Sequence, residues 1–175
     1  MAETSDKILV EKCLKGDNNS FDKLVKRYEL PMYRTAFGIV GDSELARDVT
    51  QTAFMKSWEK LTDYKPEYKF YSWLYRIVVH EALNSNRSKK NNSPLSLYPS
   101  GAENPHQVLQ KKEESQSLSK AIDSLPEDYK VVILLRHFEE LSYKEISVIL
   151  EIEVKTVKSR LYSARTLLRK KLYNR

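Results

Sequence analysis

The stretch LSYKEISVILEIEVKTVKSRLYSARTLLRKKL, residues 141–172, decides how the chain folds. It opens on Ser142-Tyr143-Lys144-Glu145. That is a capping box, in which a hydroxyl and a carboxylate three residues apart satisfy the free N–H groups of a helix start. Ile146, Ile149 and Leu150 follow at helical spacing, and a brief break at Glu151 to Glu153 leads into a longer helix. On a wheel of about 100° per residue, Val154, Val157, Leu161, Ala164, Leu168 and Leu172 form one apolar stripe. Lys155, Lys158, Ser159, Tyr162, Arg165, Thr166 and Arg169 lie opposite it. A short capped helix, a tight break and a longer basic helix make the helix-turn-helix pattern. Such a helix fits a DNA major groove, where Lys and Arg donate to guanine edges and phosphates. The plainer alternative, a solvated basic face on a bundle helix, leaves the capped helix before it unexplained. Arg160 and Lys171 flank the stripe and are expected to meet phosphates or partners within the chain.

Charge is distributed in the same sense. The chain carries a net +6, but residues 153–175 alone hold eight basic side chains and one acid, a net +7, so the remainder is −1. A basic end on a nearly neutral body is the footprint of a polyanion-binding protein. The 175 residues suffice for one compact domain or two small ones. Four glycines exclude a glycine-rich phosphate loop and supply little of the turn chemistry of a β protein. The single Cys13 excludes an internal disulfide framework or a cysteine zinc site and fits a reducing compartment. The polar start, Met1 to Asp6, lacks the basic and apolar segments of a signal peptide, and runs such as Val131 to Leu135 are too short to cross a bilayer. A cytoplasmic protein without membrane insertion is expected.

Upstream, Ser5 to about Arg87 reads as four helices. Ser5 caps the first, which sets Ile8, Leu9, Cys13 and Leu14 on one side. The second starts near Ser20, and Pro31 is expected to bend or split it. Gly41-Asp42 ends it and caps the next. The third, Ser43 to Lys60, has an apolar stripe of Leu45, Val49, Ala53 and Trp58, with Glu44, Asp48, Gln51 and Met55 on the other face. The fourth begins at Phe70. Ser88 to Asn104, rich in Ser, Asn, Lys, Pro and Gly, reads as a linker. Asn104-Pro105 then starts a helix, Pro126-Glu127-Asp128 opens another, and that one ends near Phe138. The fold class is therefore all-α, two small helical domains joined by a flexible linker.

Around the loop Leu61 to Lys69, aromatics alternate with bases: Tyr64, Tyr68, Phe70, Tyr71 and Trp73 among Lys60, Lys65, Lys69 and Arg76. Unpaired bases stack on aromatic faces while cations hold the backbone. Phe70, Trp73, Leu74 and Ile77 sit at core spacing, so Tyr64, Tyr68 and Tyr71 are the aromatics expected at the surface. His80, His106 and His137 show no metal-ligand spacing, and no nucleophile elbow is present. No catalytic, metal or cofactor site is expected.

Both blocks resemble the extracytoplasmic-function sigma factors of bacterial RNA polymerase. The first resembles their region 2 through Lys15-Gly16-Asp17 with Phe21, Leu24-Val25-x-x-Tyr28, Tyr33-Arg34, Asp48-Val49-x-Gln51-x-x-Phe54 with Trp58, and Phe70-x-x-Trp73-Leu74-Tyr75-Arg76-Ile77. The second resembles region 4 through Leu125-Pro126, Leu135-Arg136, Ser142-Tyr143-x-Glu145-Ile146 and Thr156-Val157-Lys158-Ser159-Arg160-Leu161, with Ala164-Arg165. The resemblance implies region 2 over 1–90, a linker over 91–104 and region 4 over 105–175. It implies that Glu44, Asp48, Gln51 and Met55 bind the clamp coiled coil of the largest subunit of core RNA polymerase. Tyr64, Lys65, Tyr68, Lys69, Tyr71, Arg76 and His80 would contact minus-ten promoter DNA. Lys155, Thr156, Lys158, Ser159, Tyr162, Arg165 and Arg169 would contact the minus-35 element. An anti-sigma factor is a further implied partner. Three positions depart from the family's pattern. Thr52 stands where Glu is usual, which weakens one expected polymerase contact, while His80 stands for Asn and Lys155 for Gly, which implies an altered promoter preference. The rival reading is a stand-alone helix-turn-helix regulator whose first block senses a ligand or dimerises.

Overall fold

The structure is a computed structural model that describes residues 5–92 and 117–173. Its first helices are α1 (Asp6–Leu14), α2 (Asn18–Val40), α3 (Ser43–Glu59) and α4 (Phe70–Asn92), with one 3-10 turn, Leu61–Asp63, before α4. After residue 117 come α5 (residues 117–123), α6 (Glu127–Ile133), α7 (Tyr143–Leu150) and α8 (Val154–Tyr173). The expected linker, 91–104, and the helix start at Asn104-Pro105 lie outside the described residues, except residues 91 and 92, which complete α4. That helix therefore runs past Arg87, where the sequence pattern placed its end.

Helices α2, α3 and α4 pack on one another, and α1 lies along α2. Leu24, Met32, Ala36, Ala46, Ala53, Leu74, Val78 and Ala82 are the fully sealed centre of this bundle. Small side chains at the middle of α3 let the helix axes approach closely. The helix starts follow capping chemistry unevenly. The Asp42 carboxylate accepts from the Glu44 and Leu45 N–H groups at 3.0 Å, and Gly41, at φ 70°, closes α2 in the left-handed region that glycine tolerates. Ser5 does stand at the N-cap of α1, but its hydroxyl makes no capping bond. Asp6 fastens that helix instead, accepting from Arg27 and from the Tyr28 hydroxyl of α2. The buried side of α1 is Leu9, Val10 and Cys13, while Ile8 and Leu14 are exposed.

Pro31 does not split α2, which is continuous from Asn18 to Val40. A mid-helix proline forfeits one backbone hydrogen bond. The turns on either side of it bury Leu24 and Met32 completely, and that burial holds the helix through the gap.

The second set centres on Val132, Leu135, Ile146, Val157, Leu161 and Ala164, with α6 and α7 both packed on α8. The Ser142–Glu145 capping box forms in full. The helix from Glu127 does not stay α-helical to Phe138: from Leu134 to Phe138 it widens into a π turn. Arg160, on the flank of the α8 stripe, pairs with Asp128 of α6 at 2.7 Å.

The two helix sets, the two expected all-α regions, pack against each other. Their buried residues form one apolar cluster. Helix α2 touches α6 and the π turn, and α4 touches α7. Lys130 of α6 is buried between the sets, where its ammonium donates to the Ile39 carbonyl of α2 at 3.2 Å and pairs with Asp123 at 2.8 Å. Gly38 is a point of close approach: a Cβ there would stand 2.8 Å from Leu134 Cδ2. Valine differs little from glycine in helix propensity. Replacing Gly38 with Val should therefore act through overpacking and cost about 1–3 kcal/mol, read as a lower midpoint in urea unfolding of the whole chain. An unchanged midpoint would mean that the sets do not meet at this residue.

Candidate nucleic-acid and partner-binding surfaces

Three surfaces carry the residues singled out by sequence. The first is the outer side of α3. The capped start at Asp42 sets the helix phase, and Ala46, Val49, Thr50, Ala53 and Phe54 turn inward. Glu44, Asp48, Gln51 and Met55 are consequently all exposed. Met55 and Gln51 border an apolar groove of about 810 Å³ between α2 and α3, floored by Phe21, Val25 and Phe54. Trp58, expected in the core stripe, is instead 40% exposed and packs edge-on against Phe21 at 4.8 Å between ring centroids. Val49 and Ala53 of the expected stripe are buried, but at its ends Ala46 takes the place of Leu45 and Ser57 that of Trp58, so the indole overhangs the groove.

The second surface is the loop before α4 and the start of that helix. Tyr64 is not at the surface: it is 8% exposed, packs on Phe70 and Trp73 with centroids 5.6 Å away, and donates its hydroxyl to the Tyr68 carbonyl at 2.6 Å. It buttresses the loop. Tyr68, half exposed, and Lys65, fully at the surface, are what the loop presents. With Arg76 and His80 of α4 they line a cleft of about 940 Å³. The opposite wall is α7, through Ser147, Val148 and Glu151. Lys56 and Lys60 add further positive charge to the cleft, and Lys56 is held by Glu81 at 2.7 Å.

Between the two helix sets, at this cleft and beside it, three acids of the second meet cations and phenols of the first. Glu139 accepts from the Tyr75 hydroxyl at 2.7 Å and pairs with Arg34 at 3.4 Å. Glu145 pairs with Lys69 at 2.8 Å and accepts from the Tyr71 hydroxyl. Glu151 pairs with Arg76 at 2.5 Å. Glu145 serves both neighbours at once, because its other oxygen accepts from the Ser142 N–H at 2.8 Å in the capping box. Burial works against its charge, but hydrogen bonds from Lys69, Tyr71 and Ser142 outweigh that and hold its pKa down at about 2. The Glu145 hydrogen bond, then that of Tyr71, pushes Lys69 up from its ordinary value. Tyr75 is pushed up by burial first and then by Glu139. Arg34, Tyr75, Glu139 and Glu151 escape a reading of the sequence. No local pattern marks their pairing, since Glu139 meets Tyr75 and Arg34 across 64 and 105 residues of chain.

The third surface is the outer side of α8. Lys155, Lys158, Ser159, Tyr162, Arg165, Thr166 and Arg169 are all exposed and Thr156 is half-buried. Val157, Leu161 and Ala164 are buried beneath them. Among the described residues no salt bridge engages Lys155, Lys158 or Arg169. Arg165 is steadied by His137 of the π turn, donating to its Nε2 at 3.2 and 3.4 Å. Burial, then Arg165 and Arg136, lower the His137 pKa, which keeps the ring a neutral acceptor.

A family model described as Sigma-70 region 2 matches residues 24–92, and one described as Sigma-70, region 4, matches residues 115–168. The chain belongs to the sigma-70 family, in its extracytoplasmic-function group. This sigma factor is 34% identical over 176 residues to the ECF RNA polymerase sigma-E factor of Escherichia coli K12, covering 93% of this chain and 92% of that protein. It is 31% identical to the RNA polymerase sigma-H factor of Pseudomonas aeruginosa over 98% of this chain and 96% of that one. Its fold is similar to that of CnrH in complex with the cytosolic domain of CnrY, at a TM-score of 0.72 and 24% identity over 94% of this chain and 95% of that one. It is also similar to the sigma factor RpoE in complex with the anti-sigma factor NepR from Bartonella quintana, at 0.71 and 22% over 89% and 98%. A sigma factor directs promoter-specific transcription, and two family regions in order do not favour the stand-alone regulator. Among the described residues no helix is long and apolar enough to cross a membrane.

The pairing at Glu145 has a defined pH window. A carboxylate whose pKa is depressed on docking contributes stability that is complete above its ordinary 4.5 and lost as the pH falls towards 2. The radius of gyration of the free chain in X-ray scattering should stay constant from about pH 8 to pH 5 and increase below about pH 4. Expansion already at about pH 6 would assign the contact to a histidine instead.

Proposed function

We propose that region 2 docks on core RNA polymerase through Glu44, Asp48, Gln51 and Met55, and holds melted minus-ten DNA at Lys65, Tyr68, Lys69, Tyr71, Arg76 and His80. We further propose that region 4 holds the minus-35 duplex through the outer side of α8. The observation that carries this reading is the row Lys155, Lys158 and Arg169, exposed and without acidic partners among the described residues, while Arg160 on the same helix is neutralised by Asp128. An unpaired cation row on one helix side is what phosphate and base-edge contacts require. Tyr68 supports the strand-holding role, since a half-exposed ring backed by the buried Tyr64 is a stacking platform for an extruded base. Catching that base offsets part of the unpairing cost, so binding itself promotes melting. The protein is a non-enzymatic initiation factor of the cytoplasm, with an anti-sigma factor as its regulatory partner.

Lys158 lies near the start of α8 and Arg169 almost three turns further on. Lys158→Ala should cost about 1–3 kcal/mol at the preferred minus-35 sequence and flatten discrimination at one base pair. Arg169→Ala should weaken all sequences alike and reduce the log–log salt slope by about 1. Binding of the full chain to a panel of promoter duplexes at several salt concentrations checks both. Equal, sequence-independent losses would leave only a generic basic face.

The Asp48→Ala/Gln51→Ala double variant should lose core-polymerase binding in co-purification while keeping its helical circular dichroism, because both side chains are exposed. Undiminished co-purification would exclude this side of α3 as the docking site.

A further inference from the structure

We propose that His137 and Arg165 form a proton-linked phosphate site at the edge of the minus-35 helix. The imidazole gains a proton from solvent as a backbone phosphate of the duplex arrives, and both side chains then hold that phosphate. The inference rests on the reading of the outer side of α8 as the minus-35 surface.

In the free chain the two side chains are held together without an anion. His137 of the π turn and Arg165 of α8 are both exposed, and 28 residues separate them in sequence. The guanidinium donates from Nε and Nη2 to one ring nitrogen, Nε2, at 3.4 and 3.2 Å. An imidazolium has no lone pair there, so the contact requires a neutral ring with its proton on Nδ1. The charges that reach the ring are Arg165 and, from its own turn, Arg136, and both are cationic. Arg136 is fixed in place, since it donates to the Leu141 carbonyl at 3.0 Å and lies over the Tyr143 ring at 5.3 Å. Carboxylates of the packed elements are engaged elsewhere: Asp128 of α6 with Arg160, Glu145 of α7 with Lys69, and Glu139 of the turn itself with Arg34 of α2. Among the described residues no acid pairs with His137.

A phosphate changes that balance. Arg165 is exposed on the same side of α8 as Lys158, Tyr162 and Arg169, and its Nη1 has no partner among the described residues. A phosphodiester that reaches Nη1 sets a negative charge beside a ring that until then meets only positive ones. An opposite charge within about 4–6 Å favours the protonated imidazole. Protonation turns Nε2 from an acceptor into a donor. The contact with Arg165 then breaks, and both groups are left to donate to phosphate oxygens. Binding and proton uptake are therefore linked, and one proton raises affinity by at most about tenfold for each pH unit lowered.

The test measures binding of the full chain to a minus-35 duplex by fluorescence anisotropy, at one low salt concentration, from about pH 8 to about pH 6. His137→Gln offers Arg165 an amide oxygen in place of Nε2 but takes up no proton in this range. Circular dichroism verifies its helices. Relative to that variant, wild type should bind equally at about pH 8 and about fivefold more tightly at about pH 6. In proton NMR, the histidine Cε1–H resonance that is missing from His137→Gln should titrate at higher pH with duplex than without it.

The same pH dependence in both chains would assign the proton to another group and overturn the proposal. So would a His137 resonance whose titration the duplex leaves unmoved. In either case, weaker duplex binding by Lys158→Ala and Arg169→Ala would leave the minus-35 reading standing. Full affinity in those two variants at every pH would overturn both, because the outer side of α8 would then not meet the duplex.

Discussion

The Glu145 carboxylate is shared between two structures that sequence treats as unrelated. One oxygen starts the short helix of the helix-turn-helix by satisfying the Ser142 N–H, and the other holds Lys69 and Tyr71 of region 2. A charge-assisted hydrogen bond of this kind tolerates little displacement. The position of α7 on the region 2 surface is therefore tied to the integrity of the turn that presents α8. The start of the helix-turn-helix and one contact of the seam between regions meet at this carboxylate.

The seam itself is a compromise between apolar contact and charge. Leu134 fills the notch at Gly38, and the widened π turn carries Glu139 onward to Tyr75 and Arg34. A π turn inserts an extra residue per turn and redirects the chain beyond it. Lys130 is buried at the same seam but keeps a carbonyl and a carboxylate as partners, which is how a buried ammonium is tolerated. The paired polar groups lie at a seam that the apolar cluster also crosses, so apolar contact and charge pairing both hold the regions together.

The helical fold is legible because its signals are local. The capping box, the Gly41-Asp42 stop-and-start and the α8 stripe depend on residues within one or two turns, and each appears as the spacing requires. Local spacing is a poorer guide where aromatics are concerned. It puts Tyr64 at the surface, yet the ring lies inside, and it puts Trp58 inside, yet the indole overhangs a groove. Ring packing with residues of other elements decides both. Pro31 is overruled by burial on either side of it. The docking of the two regions is not legible at all. Its partners join residues far apart in sequence, and Glu145 already has a sufficient local explanation in its capping box.

The proposed roles fall on three surfaces: α3 outward for a protein partner, the α4 cleft for an unpaired strand, α8 for a duplex. Reconstituted transcription is the most direct measurement of the central claim. Core RNA polymerase, this chain and a library of promoter fragments should yield run-off transcripts only when all three are present, from fragments sharing one minus-ten and one minus-35 sequence at a fixed spacing. Absence of transcripts, together with tight binding of a palindromic duplex by the chain alone as a dimer, would contradict it.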